Sequence, residues 1–205
     1  MDVKRLGDLD PAERTALQER DAGIDAVRGD VRDIVRRVRE GGDDALRAFA
    51  REFDGVELDR IDVTDEAARA ADDVDGDVLR AIEEAAANVR EFHERQCRGD
   101  WRDDFDGREL GRRFRPIARV GAYVPGGTAA YPSSALMTVI PAAVAGVEHV
   151  AVATPPAEEM NPATLAAIAE AGADRVYAAG GAQAVAALAY GTETVDPVEK
   201  VVGPG

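Results

Sequence analysis

VGAYVPGGTAAYPSSALM (residues 120–137) sets a short apolar run against a Pro-Gly-Gly turn, then offers a Ser-Ser pair suited to opening a helix. The same texture recurs downstream. IARVGAYV (117–124), HVAVAT (149–154), RVYAA (175–179) and KVVG (200–203) have strand length and near-continuous hydrophobicity, the pattern of strands covered on both faces. Helix-length segments separate them: Ser133 to Gly146, Asn161 to Gly172 with Asn-Pro at its start and Gly at its end, and Ala182 to Tyr190. Strand, helix, strand in regular alternation predicts a parallel sheet with right-handed crossovers, and Pro141 predicts a kink or break in the first helix.

In such a sheet, ligands bind at the carboxyl ends of the strands. Those ends read Tyr123-Val124-Pro125-Gly126-Gly127, Thr154-Pro155-Pro156, Gly180-Gly181-Ala182-Gln183 and Gly203-Pro204-Gly205. Glycine turns with helix starts behind them give bare amides and partial positive charge, a rim suited to a phosphate-bearing cofactor. The plainer reading is that the glycines only close tight turns. Neither GxGxxG nor GxxxxGK[ST] occurs, so no standard phosphate fingerprint decides between them.

Upstream of residue 116 the period is helical. DPAER places Asp10 before a proline at a helix start, and Val31, Ile34, Val35 and Val38 recur at three- and four-residue spacing. GGDD (41–44) breaks that helix and opens another through Ala45, Leu46, Phe49 and Phe53. A third is expected from Asp77 to Cys97 on Val78, Leu79, Ile82, Ala85, Ala86, Val89 and Phe92. RGDWRDDFDGRELGRRF (98–114) reads as an exposed connector with a hairpin turn at Asp106-Gly107.

Composition excludes several function classes. With 205 residues, 45% of them hydrophobic, the chain can bury a core. No apolar run is long enough to span a bilayer and MDVKRLGDLDPAER lacks a signal peptide's apolar centre, so a cytoplasmic protein without membrane partners is expected. The net charge of −15 is spread along the chain, with 22 basic and 32 acidic residues before position 116 and 3 and 8 from there on. An even acidic surface whose only lysines are Lys4 and Lys200 suggests adaptation to high salt, and it lacks the basic stripe that nucleic acid requires. Cys97, His93 and His149 are the soft or borderline metal ligands on offer; each reads more simply as a structural or surface residue, with Cys97 small and partly buried at a helix end.

The two long blocks VGAYVPGGTAAYPSSALMTVIPAAVAGV (120–147) and AGGAQAVAALAYGTETVDPVEKVVGPG (179–205) resemble the histidinol dehydrogenase family, in order and in separation. The resemblance covers the whole chain but only the amino-terminal half of the family pattern, which continues with an asparagine directly after GPG. It implies an α/β fold with a helical amino-terminal region, residues 1–116, forming part of a discontinuous domain. An incomplete Rossmann-like parallel sheet (βαβαβαβ) over residues 117–205 would bind NAD and be truncated at its carboxyl end. Cofactor contacts carry over to Tyr123 and Gln183, and a third contact, the asparagine, would follow Gly205. The resemblance also implies oxidation of L-histidinol through L-histidinaldehyde to L-histidine, closing histidine biosynthesis, in a homodimer of intertwined chains. The proton-transfer pair and the zinc ligands belong to the family's second half, so no catalytic or metal-binding residue is assigned here.

Several expectations follow. The chain alone would be inactive and would bind NAD weakly or not at all, since one lost hydrogen-bonded contact costs about 0.5–1.5 kcal/mol, roughly threefold to tenfold in affinity. The missing half would be supplied in cis or in trans, and residues 20–116 would present an unsatisfied apolar face. The alternative is a non-catalytic nucleotide-binding or assembly module that has lost the zinc half. The ending favours the dehydrogenase, because a stand-alone module should close its sheet with a helix or a polar cap.

Overall fold

The two periodicities resolve into helices and strands over residues 6–18, 24–126 and 130–204, which a computed structural model describes. Gly127 of the first rim turn and the terminal Gly205 lie outside the described residues. The chain forms two compact units, residues 1–33 and 34–205.

In the first unit, Asp10 caps α1 (Pro11–Gln18) as its sequence predicts. The Glu13 amide donates to Asp10 Oδ1 at 2.8 Å and the Asp10 amide to Glu13 Oε2 at 3.0 Å, a reciprocal capping box ahead of a proline-started helix.

The second unit is built on a four-stranded parallel sheet of β3 (Arg119–Tyr123), β4 (His149–Thr154), β5 (Arg175–Ala178) and β6 (Lys200–Val202), in the order β5-β4-β3-β6. The strands are joined through α5 (Pro132–Val144), α6 (Pro162–Ala171) and α7 (Gly181–Tyr190). Strands and helices fall within two residues of the sequence expectation. The order reverses between β3 and β6, whose register pairs Val120 with Lys200 and Ala122 with Val202.

Alternation divides the strand residues between two cores. Ala122, Val124, Val150, Val152, Val176 and Ala178 face Leu136, Val139 and Ile140 of α5 and Leu165 and Ile168 of α6. Behind these lie α3 (Thr64–Arg69), with Ala67, and α4 (Gly76–Glu94), with Ile82 and Ala86. Ala151, Ala153, Tyr177 and Ala179 face Leu188 of α7 and Val38, Leu46 and Phe49 of α2 (Ile24–Phe49). Each large aliphatic side chain so buried contributes about 1.5–3 kcal/mol. Gly121 lets α7 sit close, because a Cβ there would meet Leu188 Cδ1 at 2.9 Å.

α2 is two helical segments joined at Gly42 (φ 50°, ψ −131°), the break expected from GGDD. It runs into a π-helical turn, Ala50–Asp54, stopped by Gly55 at φ 71°. The next segment was not legible as structure. The Val63 amide donates to the Val176 carbonyl at 2.8 Å and the Ala178 amide to the Ile61 carbonyl at 2.8 Å, so residues 61–63 lie antiparallel against the outer side of β5.

Two expectations are corrected. α5 continues through Pro141 without a break: the proline forfeits the one backbone bond its N–H would have given the Met137 carbonyl, and the helix still runs on to Val144. Cys97 is exposed, beyond the end of α4 and not partly buried, because the helix stops at Glu94 and leaves the thiol outside the packed face.

The Asp106-Gly107 turn forms as expected, with both residues at positive φ (58° and 76°), and joins β1 (Trp101–Asp104) to β2 (Glu109–Arg112) in an antiparallel hairpin. All eight strand residues are exposed, and Trp101, Phe105, Leu110 and Phe114 present apolar surface around them.

Candidate functional site

The carboxyl ends of the strands gather the rim loops around one proline. A Cβ on Gly126 would meet Pro155 at 3.1 Å and one on Gly180 would meet it at 3.0 Å, so the loops after β3, β4 and β5 touch and only glycine fits on either side of Pro155. Clefts open on both flanks of this junction.

The first flank is the switch point between β3 and β6. Tyr123 ends β3 and its hydroxyl accepts from the Gly181 amide, the first residue of α7, at 3.1 Å. Gly181, at φ 54°, also lies beneath Gln183, whose Oε1 would be 2.9 Å from a Cβ placed there. The structure therefore brings both sequence-predicted contacts, Tyr123 and Gln183, to one joint at the start of α7. Tyr123, Val185, Val202 and Pro204 line a cleft of about 510 Å3 there, and Gln183 is not among its lining residues. Gly203 (φ 143°) lies at the edge of that cleft, packed so close to β3 that a Cβ would collide with the Tyr123 carbonyl. Gln183 is 4% exposed. Among the described residues no buried side-chain nitrogen or oxygen is left without a hydrogen-bond partner, so the Gln183 amide is not an orphaned polar group.

The second flank is a cleft of about 560 Å3 between the loops after β3 and β4 and the start of α6. Pro125, Pro155, Pro156 and Met160 give it apolar walls, Thr154 lies on its floor, and Asp54 and Glu159 supply carboxylates. Burial pushes the Asp54 carboxyl above its ordinary value. Asp54 closes the π-helical turn, a distortion often found where a side chain is re-aimed at a site. Sequence reasoning placed Thr154 on the rim but missed Asp54 and Glu159, since no spacing rule links residue 54 to a loop a hundred positions later.

The remaining candidates lie elsewhere. His149 is exposed at the amino end of β4, His93 hydrogen-bonds Gln96 Oε1 at 2.8 Å on α4, and Cys97 Sγ lies 3.6 Å from the Val144 carbonyl. Among the described residues no three His, Cys, Asp or Glu side chains converge to hold a metal, and no helix is long and apolar enough to cross a membrane.

A doubly wound α/β protein with ligand clefts at its carboxyl rim and switch point is the class this geometry defines. The histidinol dehydrogenase family model matches residues 17–205. Over all 205 residues the chain is 69% identical to histidinol dehydrogenase of Haloarcula marismortui, 49% of whose length is covered, and 67% identical to that of Natronomonas pharaonis, also 49% covered. The crystal structure of histidinol dehydrogenase from Elizabethkingia anophelis superposes with a TM-score of 0.83 at 35% identity, over 87% of this chain and 42% of that one. This chain belongs to the histidinol dehydrogenase family, and it spans about half the length of the curated relatives it matches.

Proposed function

We propose that this chain carries the cofactor-binding half of a histidinol dehydrogenase, which oxidises L-histidinol through L-histidinaldehyde to L-histidine with NAD. The observation that carries the reading is the meeting at Gly181 of the Tyr123 hydroxyl and the Gln183 side chain, both at the start of α7 on the carboxyl rim. Bound NAD supplies the hydride acceptor. The chain's own residues hold and orient it. Tyr123 offers a flat face at a strand end, and Gln183 offers a donor and an acceptor. α7 adds the positive end of its dipole.

The described residues do not fit a zinc site, and no step here runs through that metal. In this reading the zinc ligands and the proton-transfer pair come from a second half, in cis or in trans. Residues 117–205 form the cofactor domain and residues 1–116 part of a discontinuous one, within a cytoplasmic homodimer. The exposed Trp101, Phe105, Leu110 and Phe114 support the need for further protein surface. Relatives from Haloarcula and Halobacterium accord with the acidic, salt-adapted composition.

Histidinol-dependent NADH formation at high salt with added zinc tests the proposal. It is measured for this chain alone and mixed with a polypeptide matching the other half of the relatives. Activity only in the mixture is expected. NAD binding with no activity in either preparation would point to a non-catalytic nucleotide-binding module instead.

A further inference from the structure

The cleft lined by Asp54 and Glu159 stands apart from the chain's other carboxylate-rich surfaces. Arginines accompany acids across much of this protein, in pairs such as Arg37–Glu52, Arg51–Glu57 and Arg115–Asp100. No lysine, arginine or histidine lines this cleft, and neither Asp54 nor Glu159 has a hydrogen-bond or ion-pair partner among the described residues. On the floor, Thr154 is 3% exposed. The site therefore offers apolar walls of proline and methionine, one buried hydroxyl and two unmatched carboxylates. That set suits a flat, uncharged body carrying hydroxyl donors.

The start of α6 makes the cleft a poor phosphate site. Pro162 has no N–H, the Thr164 amide is taken by Asn161 Oδ1 at 3.0 Å, and the Leu165 amide by the Asn161 carbonyl at 3.1 Å. Only Ala163 keeps a first-turn donor, so a helix end that would ordinarily attract a phosphate has little left to offer. An added dianion would also meet the repulsion of both carboxylates.

We infer that Asp54 and Glu159 are specificity-determining residues that accept hydrogen bonds from the vicinal diol of the cofactor's adenosine ribose and exclude a 2′-phosphate there. The inference rests on the NAD reading of the preceding section. It places the adenosine half in the cleft between the β3 and β4 loops and leaves the Tyr123–Gly203 cleft for the nicotinamide half. The parallel with doubly wound dehydrogenases is chemical: an acid reads the free diol, whereas a cation would be needed for the phosphate. Here the acids come from a π-helical turn and from the loop after β4.

The test titrates NAD and NADP into the chain, with the complementing polypeptide present where activity needs it. It compares the wild type with Asp54→Asn, Glu159→Gln and the double variant. Glu158→Gln serves as control, because Glu158 lines the neighbouring groove and not this cleft. Both target side chains are exposed and unpaired, so thermal unfolding should change little and report folding separately. The wild type is expected to prefer NAD at least tenfold. The double variant should narrow that preference at least tenfold while losing roughly threefold in NAD affinity, with the Glu158→Gln ratio unchanged. NAD binding with an unaltered NAD-to-NADP ratio in the double variant overturns this inference and leaves the NAD reading standing. Failure of the wild type to bind NAD even with the complementing polypeptide present overturns both.

Discussion

The two ends of the parallel sheet use several of their polar side chains in opposite ways. At the amino end four of them are consumed by structure. Asp174 Oδ2 accepts from the Val150 amide at 2.7 Å, Glu199 Oε2 from the Ala118 amide at 2.7 Å, and Arg119 and Arg175 lie within 4 Å of Asp196 and Asp62. The loop leading into β6 is held by Asp43, which accepts from Thr192 Oγ1 at 2.6 Å, Thr194 Oγ1 at 2.5 Å and the Thr194 amide at 3.2 Å. Glu193 returns the contact by accepting from the Asp43 amide at 2.8 Å. At the carboxyl end Asp54 and Glu159 keep their capacity unspent. Polar groups satisfied internally stabilise a fold. Those left over define what it can bind.

The contrast can be broken most visibly at Asp43. Asp43→Ala strands two hydroxyls and an amide in a buried latch and should cost about 3 kcal/mol. In a chain of this size that lowers the unfolding temperature by about 6–12 °C, readable by calorimetry. A loss under about 1 kcal/mol would mean that the latch is ornamental.

Acid provides the second handle on the same residue. Burial alone would raise the Asp43 carboxyl, but hydrogen bonds from Thr192 and Thr194, with the charge of Arg47, outweigh it and hold the group below its ordinary value of 3.8. Its stabilisation is therefore present above pH 3.8 and fades as pH falls through the lower folded value. Between pH 5 and strongly acid solution, Asp43→Asn should lose less stability than the wild type in urea titrations.

At the other end the signs should separate. Gln183→Met keeps volume and removes the amide, so stability should hold while NAD binding weakens roughly threefold to tenfold. Coupled losses of both would place Gln183 among the structural polar groups. The smallest effect belongs to exposed pairs such as Glu91–Arg95 on α4, where Glu91→Gln should cost no more than about 0.5 kcal/mol by thermal melting.

Much of the sheet was legible because its signals are local. HVAVAT predicts a strand at 149–154 and yields β4, Asn161-Pro162 and Gly172 bracket α6, and Asp106-Gly107 forms its hairpin turn with both residues at positive φ. Tyr123 and Gln183 were legible through family blocks, and the structure joins them at Gly181. What stayed hidden depends on contacts distant in sequence. Asp62 lies beside Tyr177, Asp43 holds residues about 150 positions away, and Asp54 shares a cleft with Glu159. No periodicity encodes such partners. Pro141 misled for a different reason: a proline removes one donor from a helix without forbidding its continuation, and α5 runs on to Val144.

The strand order also fixes how long each amide waits before trading its proton for deuterium. β4 is flanked by β5 and β3 and covered on both faces, so its amides should open only with the whole domain. β6 pairs along three residues with β3 alone among the described strands. Within the parallel sheet, the strand beside the proposed cofactor cleft is thus also the one whose clock runs fastest. A bound dinucleotide bridging Tyr123 and Gly203 should slow exchange in β6 before it slows any other strand.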